Sequence, residues 1–398
     1  MLDLDAVERR LIERAQARTD FDAQIAGLCQ DLRAGGMALA RGYMATRILH
    51  PSYRAVAYVW RPEEGASVDR LGYDSADSGA WERSPFKWMI DRRLGERRFD
   101  LVDGPDRDAF PVLADMRALG LTDYLAFVVP YGATENWESL RGNGMTSTWG
   151  CDRPGGFAAA EIAALRRLQA PLALALRAGV QEMIARNVVS TYLGRDAGQR
   201  VLSGAIRRGH AERIDAVIWY SDLRRSTPLA ESMAPEDFLA LLNDSFDCAA
   251  GAVLDQGGEV LRFIGDAVLA IFPLRDCNSS AEACERALAA AAEARSRLAA
   301  LNAQRTAAGL APLDFGIGLH LGQVLFGNIG VAERLEFTVV GPAANAGARI
   351  EALGKAMGAP VVVSGDFAAA LPGRDWRDLG RHGLRGVGTA MQILAPVA

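Results

Sequence analysis

The sequence predicts an α+β protein whose carboxy-terminal half follows the order strand, helix, hairpin, helix, strand. Three observations carry that prediction. The chain has 398 residues, half of them hydrophobic, which is ample for buried cores and too long for one ordinary domain. From Ile214 onward, short apolar runs alternate with amphipathic stretches in a β-α-β-β-α-β order. Within that order, "GGEVLRFIGDAVLAIFP" sets two apolar runs, Val260–Ile264 and Ala267–Phe272, on either side of a single Gly265–Asp266 pair, the pattern of a β-hairpin with an Asp-bearing turn.

From about Ala6 to Leu39, Leu11, Ile12, Ala15, Phe21, Ile25 and Leu28 recur among charges and predict an amphipathic helix or pair of helices. "RAVAYVW" at Arg54–Trp60 and "DYLAFVVPYG" at Asp123–Gly132 read as strands separated by polar loops. Next comes "TSTWGCDRPGGFAAAEIAALRRLQAPLALALRAG", a strand, a turn holding Pro154 and two Gly, and an Ala/Leu-rich helix. Helical pattern then runs through "VQEMIARNVVSTYLGRDAGQRVLSGAIRRG", with Pro171 a potential kink upstream. This stretch lacks Gly/Ser runs and reads as a stiff connector. The expected division is 1–178 for a first domain, 179–212 for the connector and 213–398 for the second domain.

Composition excludes several function classes. The formal charge of −5 and scattered basic residues, Arg207–Arg208 included, argue against general nucleic-acid binding. "MLDLDAVERRLIERAQ" is charged and unlike a signal peptide, and no apolar run reaches membrane-spanning length, so a cytoplasmic location is expected. Cys29, Cys151, Cys248, Cys277 and Cys284 lack CxxC spacing and fit a reducing compartment. The dispersed His50, His210, His320 and His382 give no metal signature.

The second half carries the chemistry. "DAVIWYSD" is a strand ending in Asp222. "APEDFLALLNDSFDCAAGAVLDQGG" is a helix with Phe238, Leu242, Phe246, Ala249 and Val253 on one face. The hairpin, the Ala-rich helix at Ala281–Ala300 and the strand "LDFGIGLHLGQVLFGNIG" complete a ferredoxin-like βαββαβ order. In that topology the first two strands are parallel, so Asp222 and the Asp266 turn lie at the same end of the sheet. An Asp in a turn is ordinarily a solvated turn former. Two facing carboxylates repel and raise each other's pKa unless a cation lies between them; hard oxygen ligands suit Mg²⁺ or Mn²⁺, and paired acids fit two-metal phosphoryl transfer.

With "YSDLRRST", "GGEVLRFIGDAVLAIF", "GIGLHLGQVLFGNIG" and "FTVVGPAANAGARIEAL" in this order, the stretch from about Arg213 to Pro396 resembles the class III nucleotidyl cyclases. The closing strand and helix of the first half resemble GAF-type sensor domains, in which a "DRPGxF"-like turn is common. The resemblance implies a cyclase catalytic domain preceded by a GAF-like α+β domain. In such cyclases the ribose 3′-oxygen of a nucleoside triphosphate attacks its own α-phosphate and pyrophosphate leaves. Asp222 and Asp266 match the ligands of two Mg²⁺ or Mn²⁺ ions, with the Leu223 carbonyl as a further ligand. Asn345 matches the residue that orients the ribose. Arg349 matches the one that stabilises charge on phosphorus, and four-residue spacing puts the two on one helix face. The small Ala346, Gly347 and Ala348 between them are expected to let a ligand approach. Metal acids and the Asn–Arg pair come from different protomers in this family, which implies a head-to-tail homodimer.

Arg262 and Thr338 fall at the purine-reading positions, usually Lys with Asp or Thr for adenine, and Glu with Cys or a similar small residue for guanine. Arg262 is suited to donate to adenine N1 and the Thr338 hydroxyl to accept from the amino group, so ATP is the expected substrate. Arg225, Ser226 and Thr227 stand where a Gly-containing turn normally approaches the triphosphate, Arg225–Ser226 replacing the common Gly-Phe. Arg385 in "GLRGVG" stands near a basic phosphate-binding position. The expectation is a cytoplasmic adenylate cyclase regulated by an unidentified small-molecule or protein signal at its first domain. A guanylate or pyrimidine nucleotide cyclase and a catalytically silent nucleotide-binding regulator are the alternatives. No GGDEF-type turn supports a diguanylate cyclase.

Overall fold

Two sheets organise the chain, one in each of two units that divide between Val188 and Val189. The computed structural model describes residues 2–17, 19–73, 79–132, 143–384 and 389–397.

The first unit opens with the expected helix pair, α1 (Leu4–Gln16) and α2 (Phe21–Ala34). Strands β1 (Leu39–Arg47), β2 (Tyr53–Arg61) and β3 (Gly65–Gly72) follow, then α3 (Pro85–Asp91), β4 (Glu96–Asp100), α4 (Pro111–Ala118), β5 (Asp123–Pro130) and β6 (Gly144–Cys151). They form an antiparallel sheet in the order β3-β2-β1-β6-β5-β4. One face packs on α1, α2 and the long helix α5 (Ala159–Leu193) through Leu11, Ile25, Leu28, Trp149 and Leu168. The other carries α3 and α4 through Phe86, Met89, Leu113 and Tyr124. Pro171 lies inside α5 without ending it.

The stretch expected as a helical connector is interrupted. Gly194, at φ 86°, breaks the helix after Leu193. A separate helix α6 (Arg195–Leu202) follows, and residues 203–210 are not helical. Ala197 of α6 is buried with Ile214 and Phe326 in the core of the second unit. The carbonyls of Ala205 and Arg207 accept hydrogen bonds from the Asn328 amide.

In the second unit come β7 (Ala211–Leu223), α7 (Ser226–Ser232), α8 (Pro235–Asp255), β8 (Glu259–Ile264), β9 (Ala267–Pro273), α9 (Ser280–Ala307), β10 (Phe315–Val331), β11 (Arg334–Val340), α10 (Pro342–Met357), β12 (Val361–Ser364), α11 (Gly365–Ala369), β13 (Trp376–His382) and β14 (Met391–Pro396). The sheet order is β13-β14-β12-β10-β7-β9-β8, with β11 paired to β10. Its centre, β10-β7-β9-β8, is the ferredoxin-like arrangement, with β7 antiparallel to both neighbours. From Ala216 to Trp219, β7 is apolar without alternation because both its faces are covered: Val217 and Trp219 pack beneath α8 and α9, Ala216 and Ile218 on the opposite side. Ala283, Ala287, Ala290 and Ala294 line the buried face of α9, and their small side chains allow close packing on α8.

Candidate active site

Alternation along β7 sends its last residues to opposite faces. Leu223 is buried in the core beneath α8 and α9, whereas Asp222 follows Ile218 and Tyr220 on the face nearer α10. Asp222 pairs in register with Ala267, the residue after Asp266. Gly265, at φ 63°, occupies the first position of the two-residue turn, where left-handed backbone favours Gly. The hairpin therefore delivers Asp266 to the end of β7, as the sequence predicts. Burial raises the Asp222 carboxyl above the usual range, and the charge of Asp266 raises it further. Lys355 of α10, with Nζ 3.5 Å from Asp222 Oδ2, opposes both effects.

Two oxygen-donor groups that repel in a partly buried setting fit a divalent cation, which would relieve the repulsion. Among the described residues no cluster of three or more His, Cys, Asp or Glu gathers. A cation here would therefore need oxygens beyond side-chain carboxylates. With the Leu223 side chain committed to the core, its backbone is what that residue can offer.

α10 starts after Gly341 and carries Asn345, exposed, and Arg349, partly exposed. Among the described residues, no hydrogen bond or ion pair joins either to Asp222 or Asp266. Two of the small residues between them also serve packing. Ala346 and Gly347 are buried against the sheet, where a Cβ on Gly347 would meet Ile218 Cγ2 at 2.9 Å. On the facing strand, a Cβ on Gly318 would meet the Glu351 nitrogen at 2.6 Å. They let the helix lie close on β7 and β10 and leave ligand approach to the exposed face.

Arg262 follows a register shift in β8 after Val260. Its guanidinium is paired with Glu336 of β11, so its donors already meet a carboxylate. Sequence reasoning passes over Glu336, although two-residue spacing from Thr338 puts both on the same face of a strand. Thr338 is buried, while its neighbours Phe337 and Val339 point into the core. Arg225 is exposed with φ 61° and caps the seven-residue α7, so Arg adopts the left-handed conformation for which the family's Gly is suited. Ser226 begins α7 and Thr227 is exposed. Arg385 lies outside the described residues. Three further charged residues gather here unanticipated: Lys355 on Asp222, and Arg224 paired with Glu351.

The ferredoxin-like centre and its paired acids fit a nucleotidyl cyclase domain, the family to which the comparisons point. The family model described as the adenylate and guanylate cyclase catalytic domain matches residues 210–392. Residues 210–392 are a class III adenylate/guanylate cyclase catalytic domain. Adenylate cyclase 1 of Rhizobium meliloti (strain 1021) is 30% identical over 217 residues, covering 52% of this chain and 32% of that protein. An adenylate cyclase of Anabaena cylindrica is 33% identical over 163 residues, covering 40% of this chain and 31% of that protein. The chain thus spans about a third of the length of these curated relatives. Among solved structures, the adenylyl cyclase CyaB from P. aeruginosa aligns with 24% identity and a TM-score of 0.45, over 48% of this chain and 96% of that one. No helix among the described residues is long and apolar enough to cross a membrane.

Proposed function

We propose that this protein is an adenylate cyclase that converts ATP to 3′,5′-cyclic AMP and pyrophosphate in a homodimer, under control of its first unit. The observation that carries the reading is the meeting of Asp222 and Asp266 at the end of β7, with the charge of Asp266 felt at Asp222. These two carboxylates and the Leu223 carbonyl would hold two Mg²⁺ or Mn²⁺ ions, which when bound would supply Lewis acidity toward the ribose 3′-hydroxyl and the triphosphate. The chain's own residues position the nucleotide. Asn345 orients the ribose, and the permanently charged fork of Arg349 stabilises charge growing on the α-phosphorus. Arg225, Ser226 and Thr227 flank the triphosphate. Thr338 and Arg262 face the base.

The homodimer follows from the division of labour: α10 of one protomer serves the metal acids of the other. Supporting it, Asn345 and Arg349 make no bond to Asp222 or Asp266 among the described residues, and Phe263, Ile264 and the cross-strand pair Leu325 and Val340 offer exposed apolar surface. The reading places the enzyme in the cytoplasm, in keeping with the charged opening stretch and the cysteines without CxxC spacing. The signal acting on the first unit is a small molecule or a protein.

A second reading, guanylate cyclase, has one observation in its favour. Glu336 puts a carboxylate beside Arg262, and a carboxylate is what guanine N1–H and its amino group would meet. Incubation of the purified protein with each ribonucleoside triphosphate and Mg²⁺ or Mn²⁺, with products identified by mass, separates the readings. Cyclic AMP from ATP supports the first and cyclic GMP the second. No cyclic product from any triphosphate rejects both and leaves a silent regulator.

A further inference from the structure

A cavity of about 760 Å³ lies in the first unit, between the sheet and helices α3 and α4. That volume falls within the roughly 300–1,000 Å³ typical of small-molecule sites. Its lining is mostly apolar and includes the rings of Tyr43 and Phe86, which stack with centroids 6.2 Å apart and planes at 19°.

The charge on this lining is unbalanced. Arg41 of β1 donates from Nη1 to Thr148 Oγ1 at 3.2 Å, its Nε has no hydrogen-bond partner, and among the described residues it has no ion pair. Its guanidinium carbon sits 5.3 Å from the centre of the Tyr43 ring. Burial lowers its pKa, and the charge of Asp69, which makes no ion pair with it, only partly offsets that effect. Arg54 and Arg83 also line the cavity without ion pairs among the described residues. Of the two acids on the lining, Glu82 faces Lys87, which leaves Asp115 as the other acid on a lining that also carries Arg41, Arg47, Arg54 and Arg83. The phenols add no negative charge, because burial pushes Tyr43 up to about 12 and also raises Tyr124. An unpaired guanidinium held from water beside an open apolar volume calls for an anion attached to an apolar body.

We propose that this cavity binds a small organic anion with a flat apolar body, its acidic group on Arg41 and its ring plane along Tyr43 and Phe86. The site is independent of the cyclase reading and needs no nucleotide.

Isothermal titration of the full chain with 2-naphthoate and with neutral 2-naphthalenemethanol tests it. The naphthoate should bind one to one, at least tenfold tighter than the alcohol. Arg41→Met should bring the two within about twofold of each other without lowering the thermal midpoint, and Ala55→Trp, which fills the cavity, should abolish both. Equal affinities in the parent, no binding of the naphthoate, or an undiminished preference in a folded Arg41→Met protein would overturn the proposal. If Arg41→Met does not fold, the parent comparison and Ala55→Trp decide it.

Discussion

Arg224 and Glu351 form a buried ion pair, Nη1 to Oε1 at 2.6 Å, with side chains only 13% and 3% exposed. Arg224 directly follows the strand end that carries Asp222, and Glu351 lies two residues beyond Arg349 on α10. The pair exists because Gly316 of β10 leaves space: a Cβ there would sit 1.9 Å from Arg224 Nη2 and 2.4 Å from Glu351 Oε1. It ties the acid-bearing strand to the helix of Asn345 and Arg349 within one protomer. In the proposed dimer those two elements serve different sites, so the pair links one site to the other.

Removing one partner leaves a buried charge, which costs about 3–5 kcal/mol, whereas removing both spares that penalty. Glu351→Leu and Arg224→Leu should each lower the thermal midpoint sharply, and the double variant should recover much of the loss. Strict additivity in thermal unfolding would show that the charges are not coupled.

Arg225 gives a second expectation. An L-residue in left-handed conformation costs about 1–2 kcal/mol, offset in part by the greater freedom of Gly in the unfolded chain. Arg225→Gly should therefore keep or raise stability by up to about 1 kcal/mol, and Arg225→Ala should not. If the side chain touches the triphosphate as proposed, both variants raise KM several-fold. An unchanged KM in both would leave Arg225 a solvated residue with only a backbone role.

Glu259 makes stability depend on pH. Burial and the charges of Asp196 and Asp276 push its carboxyl from 4.5 to about 7, against the pull of Arg275 and Arg200. Below about 4.5 it is protonated whether the chain is folded or not. Between 4.5 and about 7 the unfolded chain releases the proton and the folded chain keeps it, so stability falls as pH rises, and above about 7 the loss is complete. The penalty is on the order of 1–3 kcal/mol. Glu259→Gln should match the parent near pH 4.5 and melt several degrees higher near pH 8. Equal melting at both pH values would place Glu259 in ordinary solvent.

The paired acids were legible in the sequence because topology alone brings a strand end and a hairpin turn together, whatever their separation along the chain. Apolar runs likewise exposed β2, β5, β7 and β9. By contrast, β3 "GASVDRLG" and β4 "ERRFD" are edge strands of the first sheet, largely accessible and stabilised by backbone pairing, so their side chains carry no apolar pattern. Arg224–Glu351 and Arg262–Glu336 stayed hidden for a related reason. Each joins charged residues remote in sequence, and a charge that finds a partner looks the same in one dimension as a solvated one. Gly194 could have been read as the helix break it is, since Gly is a frequent stop and "YLGRD" resumes with an acid in the next first turn.

A divided active site predicts complementation. Asp222→Ala and Arg349→Ala should each be inactive, yet a mixture that exchanges subunits should regain activity. In a mixed dimer one site keeps both acids and the Arg, while the other lacks both Asp222 and Arg349. With random exchange half the dimers are mixed, each with one of two sites, so about a quarter of parental activity is the ceiling. No recovery despite demonstrated exchange would mean that each protomer completes its own site.

Control by the first unit is tested in α5, which runs without a break from Ala159 to Leu193. Catalysis shared between protomers requires acids and Asn–Arg pair in register, and an error of about 1 Å costs on the order of a hundredfold in rate. Small rotations fed into the catalytic units should therefore have large effects. Two residues inserted near Ala185 rotate everything beyond by about 200°, and four come within about 40° of a full turn. The two-residue insertion should change basal activity strongly and the four-residue insertion much less. Gly194 and α6 set a limit on this rigidity, because the break lies beyond the insertion and can absorb part of the rotation. If both variants match the parent, the hinge absorbs all of it, and the first unit does not act on catalysis through α5.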